Sequence, residues 1–138
     1  MKNIRLSMKA FNEINWHDTK LLSIDVRRVD GEDIVELLFD LNGDVSQPIY
    51  TRIIFHEVNY VYGDIYVAAK RVCADDLSGA TCYDRSSWIS QLESTHPYDT
   101  FHGYLHFEIT LIPPGGILNV LATSFSMERA LEDSVKAN

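Results

Sequence analysis

At 138 residues the chain is the length of one domain, and a globule of this size buries roughly 70% of the surface its unfolded chain exposes. Its 46% hydrophobic and 11% aromatic residues are enough for a core without disulfides or a metal, and its net charge of −8 argues against a general nucleic-acid binder, which needs clustered Lys and Arg. No run approaches the roughly 20 apolar residues that span a bilayer, and Met1–Asn15 lacks the continuous apolar stretch of a signal peptide, so a cytosolic protein without a membrane segment is expected.

Ala10–Trp16 is a short mixed lead-in, one helical turn or a packed loop. In Lys20–Arg28, Leu22, Ile24 and Val26 alternate with Ser23, Asp25 and Arg27, the period of a strand. Asp30-Gly31 follows and signals a two-residue hairpin, because both positions tolerate positive φ. Asp33–Leu41 puts Val35, Leu37, Phe39 and Leu41 on one face, while Ile34 and Leu38 make the other face partly apolar, as in a central strand. Asn42-Gly43-Asp44 ends it, Gln47-Pro48 delays the next start, and Tyr50–Val58 continues the antiparallel meander.

Beyond Tyr62, Ile65, Ala68, Ala69, Val72 and Cys73 form a helical stripe, with Asp64 placed to cap it and Gly79 beyond its end. A strand through Tyr60–Val67 is the alternative, since Tyr and Val favour strands. Ser86-Ser87-Trp88-Ile89 opens a second short helix that ends before His96-Pro97. In Gly103–Ile112, Leu105, Phe107, Ile109 and Leu111 alternate with Tyr104, His106, Glu108 and Thr110; Pro113-Pro114-Gly115-Gly116 reads as a turn, and Gly115–Ser126 as its partner strand. Met127–Asn138 reads as a charged tail. The whole, 1–138, is expected to be a single α+β domain. Its predicted architecture is a twisted antiparallel sheet of five or more strands, with one or two helices from Asp64–Glu93 covering one face. Leu22, Ile24, Val26, Leu37, Phe39, Ile53, Phe55, Phe107, Ile109 and Leu121 are the predicted core.

Chemistry is harder to find. His102, Tyr104, His106 and Glu108 share a strand face, and His106 and Glu108 project the same way about 6–7 Å apart. His102 lies ~13 Å from His106, so a metal would need His56 or His17, and an ordinary solvent-facing strand is the preferred reading. In Trp16-His17-Asp18 an Asp beside a His suits pKa tuning, but neighbours on an extended chain point opposite ways; Trp16 at the core edge and His17 or Asp18 bonding backbone fits better. The candidate polar site is therefore His17, Asp18, His106 and Glu108, with no catalytic residue, metal or cofactor expected. Nucleophile elbows, phosphate-binding glycine loops and His-Glu-x-x-His are absent from the sequence. Cys73 and Cys82 are expected to be free thiols. The tyrosines Tyr50, Tyr60, Tyr62 and Tyr66 with Phe55 suit core and edge packing, or a protein contact where exposed.

Trp16-His17-Asp18, Leu21-Leu22-Ser23-Ile24 and the strand Val35–Leu41 resemble the opening of a group of small bacterial β-rich proteins that includes immunity partners of polymorphic toxins and uncharacterised relatives. His106-Phe107-Glu108-Ile109 and Leu121-Ala122-Thr123-Ser124-Phe125 are similar to their closing hairpin. The resemblance covers the two ends and not 59–100, and it implies protein binding without catalysis. With the acidic charge it suggests an inhibitor of a basic enzyme. Asp64, Asp75, Asp76, Asp84 and Glu93, crowded into the segment the resemblance omits, are its candidate binding residues. A homo-oligomeric structural protein joined by sheet edges or exposed tyrosines is the alternative, and a small metal-dependent enzyme using His106 and Glu108 is a third reading.

Overall fold

A computed structural model of the chain describes residues 6, 8–16, 19–41, 49–65, 77–96, 101–112 and 116–130. The lead-in forms a single helical turn, α1 (Met8–Asn12). β1 (Lys20–Val29) and β2 (Glu32–Asp40) make the expected hairpin, and Asp30 and Gly31 take the left-handed φ values of 52° and 77° that its two-residue turn requires. β3 (Tyr50–His56) adds antiparallel to β2, which leaves β2 central, as its two-sided apolar pattern implied. β4 (Tyr60–Ile65) settles the ambiguous segment as strand up to Ile65. Asp64 therefore sits inside a strand and caps no helix, and Gly79 lies within β5 (Leu77–Tyr83). Ala68, Ala69, Val72 and Cys73 of the predicted stripe lie outside the described residues.

α2 (Ser87–Thr95) starts where the sequence placed it, with the Ser86 hydroxyl accepting from the Ile89 amide at 3.2 Å. β6 (Leu105–Leu111) and β7 (Gly116–Ala122) form the expected hairpin, and β8 (Ser124–Arg129) continues from β7 after a bend at Thr123. Met127, Glu128 and Arg129 therefore belong to a strand rather than a tail.

Instead of one sheet of five or more strands, the eight strands among the described residues form two antiparallel sheets of four, ordered β1-β2-β3-β8 and β4-β7-β6-β5. The reason lies at one corner, which two chain segments turn together. β3 leaves the first sheet through Glu57 and becomes β4 in the second; β7 turns at Thr123 and becomes β8 in the first. Pairing persists around the bend, with the Thr123 amide donating to the His56 carbonyl at 3.1 Å and the Asn59 amide to the Leu121 carbonyl at 2.9 Å. Glu57 takes φ of 52°, a left-handed conformation costing a non-glycine residue about 1–2 kcal/mol. Its amide is held by the Glu32 carboxylate at 2.7 Å, which offsets part of that cost.

The facing sides of the two sheets share one core. Val35, Leu37, Phe39, Ile53, Phe55 and Phe125 come from the first sheet, and Cys82, Phe107, Ile109, Leu111, Leu118, Val120 and Ala122 from the second. Phe11 of α1 closes one end of this interior, with its ring centroid 5.0 Å from Phe107 and 5.2 Å from Phe125. Gly63 belongs to this fit: a Cβ there would lie 3.2 Å from the Leu118 Cδ1. Phe125 shares parity with Ile117 and Leu121 in the sequence, yet the bend at Thr123 turns it into the common core. Leu121 is fully buried but on the opposite side, beneath α2 with Ile89, Leu92 and Phe101.

Three predicted core residues are not core. Leu22, Ile24 and Val26 are 42%, 40% and 59% exposed. Ile24 and Val26 pair with Leu37 and Val35 and so share their inward face, but β1 is the outermost strand and its side chains overhang the second sheet. Leu22 sits where the register shifts between Leu21 and Ser23, a bulge that leaves it without a ladder partner. On the outward face of the same sheet, Ile34, Leu38 and Ile54 are buried, flanked by the Arg27–Glu36–Arg52 ion pairs.

Burial ranks the mutational costs. Leu37→Ala or Phe107→Ala is expected to destabilise by about 2–5 kcal/mol in urea unfolding, through lost burial and a residual cavity. Val26→Thr, with the same period in sequence but an exposed side chain, should change stability by no more than about 0.5 kcal/mol. A Val26→Thr cost as large as that of Leu37→Ala would contradict the overhang.

Candidate functional site

Two histidines anchor the polar clusters on the outer faces. On β6, His106 is 4% exposed, so its preferred solvent-facing reading is wrong. The side chain does point outward, but Trp88 of α2 covers it with ring centroids 4.5 Å apart, and Tyr83 lies 5.4 Å away. Nε2 lies 2.7 Å from the Asn119 Oδ1, an acceptor only, so Nε2 carries the proton and donates. Nδ1 then accepts from the Ser86 hydroxyl at 2.8 Å, the same hydroxyl that caps α2. Both ring nitrogens are spent, which leaves no lone pair for a metal. Burial holds the imidazole below its ordinary pKa, outweighing the upward pull of the Asn119 hydrogen bond and the Glu108 charge.

The second cluster was not visible in the sequence. His56 Nε2 lies 2.8 Å from Ser126 Oγ, and Nδ1 lies 3.1 Å from Glu32 Oε1. The carboxylate accepts from Nδ1–H, and in the neutral ring Nε2 accepts from the Ser126 hydroxyl: the order of groups is acid, imidazole, alcohol, as in a nucleophilic triad. A nucleophile must reach its substrate, however, and Ser126 has no accessible surface. What the cluster does is fasten the corner: Glu32 bridges the His56 ring and the Glu57 amide where the chain leaves the first sheet. Glu32, His56 and Ser126 lie 24 and 70 positions apart, and only pairing of β3 with β8 brings the last two together.

The remaining predicted residues separate. His17, Asp18, Asp75 and Asp76 lie outside the described residues. His102 stands in the turn before β6, beside Gly103, and not on the strand face. Glu93 is engaged by Arg85 at 2.7 Å, and that guanidinium holds its carboxyl below the usual range. Asp84 is exposed beside Arg85, while Asp64 lies on β4, three strand spacings or ~14 Å across the sheet from β5. Glu108 is on the outer face of β6, in register with Thr81 and Asn119. Among the described residues no group of three or more His, Cys, Asp and Glu is placed to hold a metal, and no helix is long and apolar enough to cross a membrane. The Cys82 thiol is buried, which pushes its pKa up to about 12, with Asp84 adding to the shift.

What stays open is the outer face of the second sheet beyond the cover of α2. The ladders align Tyr62, Asn119, Glu108 and Thr81 in one row across it, and Asp64, Ile117, Thr110 and Gly79 in the next. Tyr62 is 57% and Ile117 41% exposed, and Tyr83 is exposed at the far edge. The described strand residues on this face include Asp64 and Glu108 but no Lys or Arg. Comparison with protein-family models, with curated proteins and with solved structures returned no match.

Two measurements test these assignments. His106 gains a proton less readily folded than unfolded, so its contribution to stability is present above about pH 6.5 and declines as pH falls below it. Wild-type Tm should therefore drop more steeply from about pH 7 to about pH 5 than that of His106→Gln; equal slopes would contradict a buried neutral imidazole. For the corner cluster, a fluorophosphonate probe should leave native Ser126 unlabelled, and Ser126→Ala should cost about 1–3 kcal/mol by stranding a His56 nitrogen. Stoichiometric labelling at Ser126 would restore the nucleophile reading.

Proposed function

We propose that this protein is a binding module that takes a basic protein surface on the open outer face of its second sheet. The observation that carries the reading is that face itself: exposed Tyr62 and Ile117 beside Asp64 and Glu108. Tyrosine supplies large contact area at low entropic cost, and uncompensated carboxylates steer and select a cationic partner. An exposed tyrosine beside an aliphatic residue and carboxylates is the composition of an interface, whereas an enzyme would need a cleft that gathers pKa-tuned groups.

The resemblance of the chain ends to immunity-type proteins makes the partner class a toxin enzyme of basic surface, held inactive in the cytosol. An inhibitor works by covering a site, so its own histidines are free to serve the fold. Of the acidic residues expected to make contact, Asp64 fits this reading; Asp84 sits beside Arg85 at the α2 end and Glu93 is committed to Arg85, while Glu108 joins from the polar face of β6.

The test is to screen basic toxin domains encoded by neighbouring genes for binding and to measure the kinetics of any that binds. Tyr62→Ala should weaken Kd by about tenfold or more, as loss of an interface anchor does. Asp64→Lys should slow association more than it speeds dissociation, and rising salt should have the same effect on wild type, since the Debye length is only about 8 Å at physiological ionic strength. Unchanged binding by both variants would overturn the assignment of this face.

A further inference from the structure

We infer that a second copy of this chain docks antiparallel along the free edge of β1, with Val26 opposite Val26 at a two-fold axis. This surface lies on the first sheet, away from the acidic face, so either proposal can fail alone.

The edges of the two sheets are not alike. The β8 edge is met by Leu6, whose carbonyl accepts from the Phe125 amide at 3.3 Å. The β5 edge is capped by the Asn12 amide, which donates to the Cys82 carbonyl at 3.0 Å and accepts from the Cys82 N–H at 2.7 Å, as a neighbouring strand would. β4 is six residues long. β1 is ten residues long, is exposed at every position from Leu22 to Val29, and has no strand on its outer side among the described residues. An edge of this length with Leu22, Ile24, Val26 and Val29 uncovered is a template for pairing; it has no Pro, and its protections are the bulge at Leu22 and the charges of Asp25, Arg27 and Arg28, so a partner strand must match those charges.

Its backbone is set for that pairing. A two-residue turn closes on a hydrogen-bonded pair, here Val29 and Glu32, and alternation then points the N–H and C=O groups of Ile24, Val26 and Arg28 toward the free edge. Charge selects one register. With Val26 opposite Val26, Asp25 of each copy faces Arg27 of the other, and Ile24 lies against the hydrocarbon stem of Arg28. Sliding to the adjacent allowed registers sets Asp25 against Asp25 or Arg27 against Arg27. Within one chain Arg27 already binds Asp25 and Glu36, and its five N–H donors leave capacity for a second carboxylate.

Charge swapping tests the register directly. By sedimentation velocity, wild type should dimerise, while Asp25→Arg and Arg27→Asp should each be monomeric, because each opposes like charges twice. Mixed in equal amounts, the two variants should form a heterodimer, since every cross-pair is then complementary, and the Asp25→Arg/Arg27→Asp double variant should recover the homodimer. As a check independent of these charges, Val26→Cys in a Cys73→Ser background should form a disulfide-linked dimer under mild oxidation, and Val29→Cys, which this register places opposite Ser23, should not. A wild type that stays monomeric at the highest concentration reached, single variants that dimerise like wild type, or equal cross-linking at positions 26 and 29 would each overturn the proposal.

Discussion

The structure depends on one buried contact set: Phe11 packed among aromatic rings from both sheets. Phe55 and Phe125 come from the first sheet and Phe107 from the second, and the Phe55–Phe107 centroids are 4.7 Å apart across the interface. Trp16 covers Phe11 from outside at 4.9 Å and reaches Phe39, while its indole N–H donates to the Phe11 carbonyl at 3.3 Å. Burying one such ring is worth roughly 1.5–3 kcal/mol, and each aromatic pair about 0.5–1.5 kcal/mol more. A five-residue helix cannot persist alone in water, so α1 exists because Phe11 is held here. Asn12 follows directly, and its amide then covers the β5 edge. One side chain in the core thus sets the helix, the helix sets the amide, and the amide protects the sheet.

The same economy explains the histidines. His106 and His56 each bond on both ring nitrogens, to Asn119 and Ser86 in one case and to Ser126 and Glu32 in the other. Each links segments distant in sequence: His106 ties α2 to the second sheet, and His56 ties the start of β2 to the corner. In both, the geometry that serves structure is one that catalysis also uses. Access decides between the two roles. A triad-like order of groups around a serine with no accessible surface holds strands together; it does not attack a substrate.

The surfaces left open lie away from these buried groups. The outer face of the second sheet is covered at one end by Ile89 and Leu92 of α2 together with Phe101, which pack on Leu121, and is open at the other. The covered end protects His106, and the open end presents Tyr62, Ile117 and the carboxylates. On the first sheet, ion pairs of Arg27, Glu36 and Arg52 lie across the outward aliphatic residues, whereas β1 carries its aliphatic side chains past the reach of the opposite layer. These are consequences of stacking two sheets that are joined at one corner and offset at the other edge.

Periodicity in the sequence was enough to locate most strands, because a period of two reports the local backbone directly. It also placed the Asp30-Gly31 turn, since so few residues accept positive φ, and the start of α2 at Ser86-Ser87. Inwardness was a different matter. Leu22, Ile24 and Val26 carry the same pattern as Leu37 and Phe39, and only the position of β1 at the edge made one set solvent-exposed and the other core. Parity failed at Phe125 because a bend at Thr123 changed the sheet. The stripe's first residue, Ile65, pairs with Gly116 in a ladder, a long-range contact that local propensity does not contain. His106 looked solvent-facing because nothing local announces that Trp88 will fold over it, and the Glu32–His56–Ser126 cluster had no spacing to read. The sequence alone determined that β1, β2, β3, β6 and β7 extend and where the first hairpin turns, for these are properties of neighbouring residues. Which faces are buried, which edges are free and which polar groups meet were decided only when two sheets packed together, since burial is a property of what lies opposite.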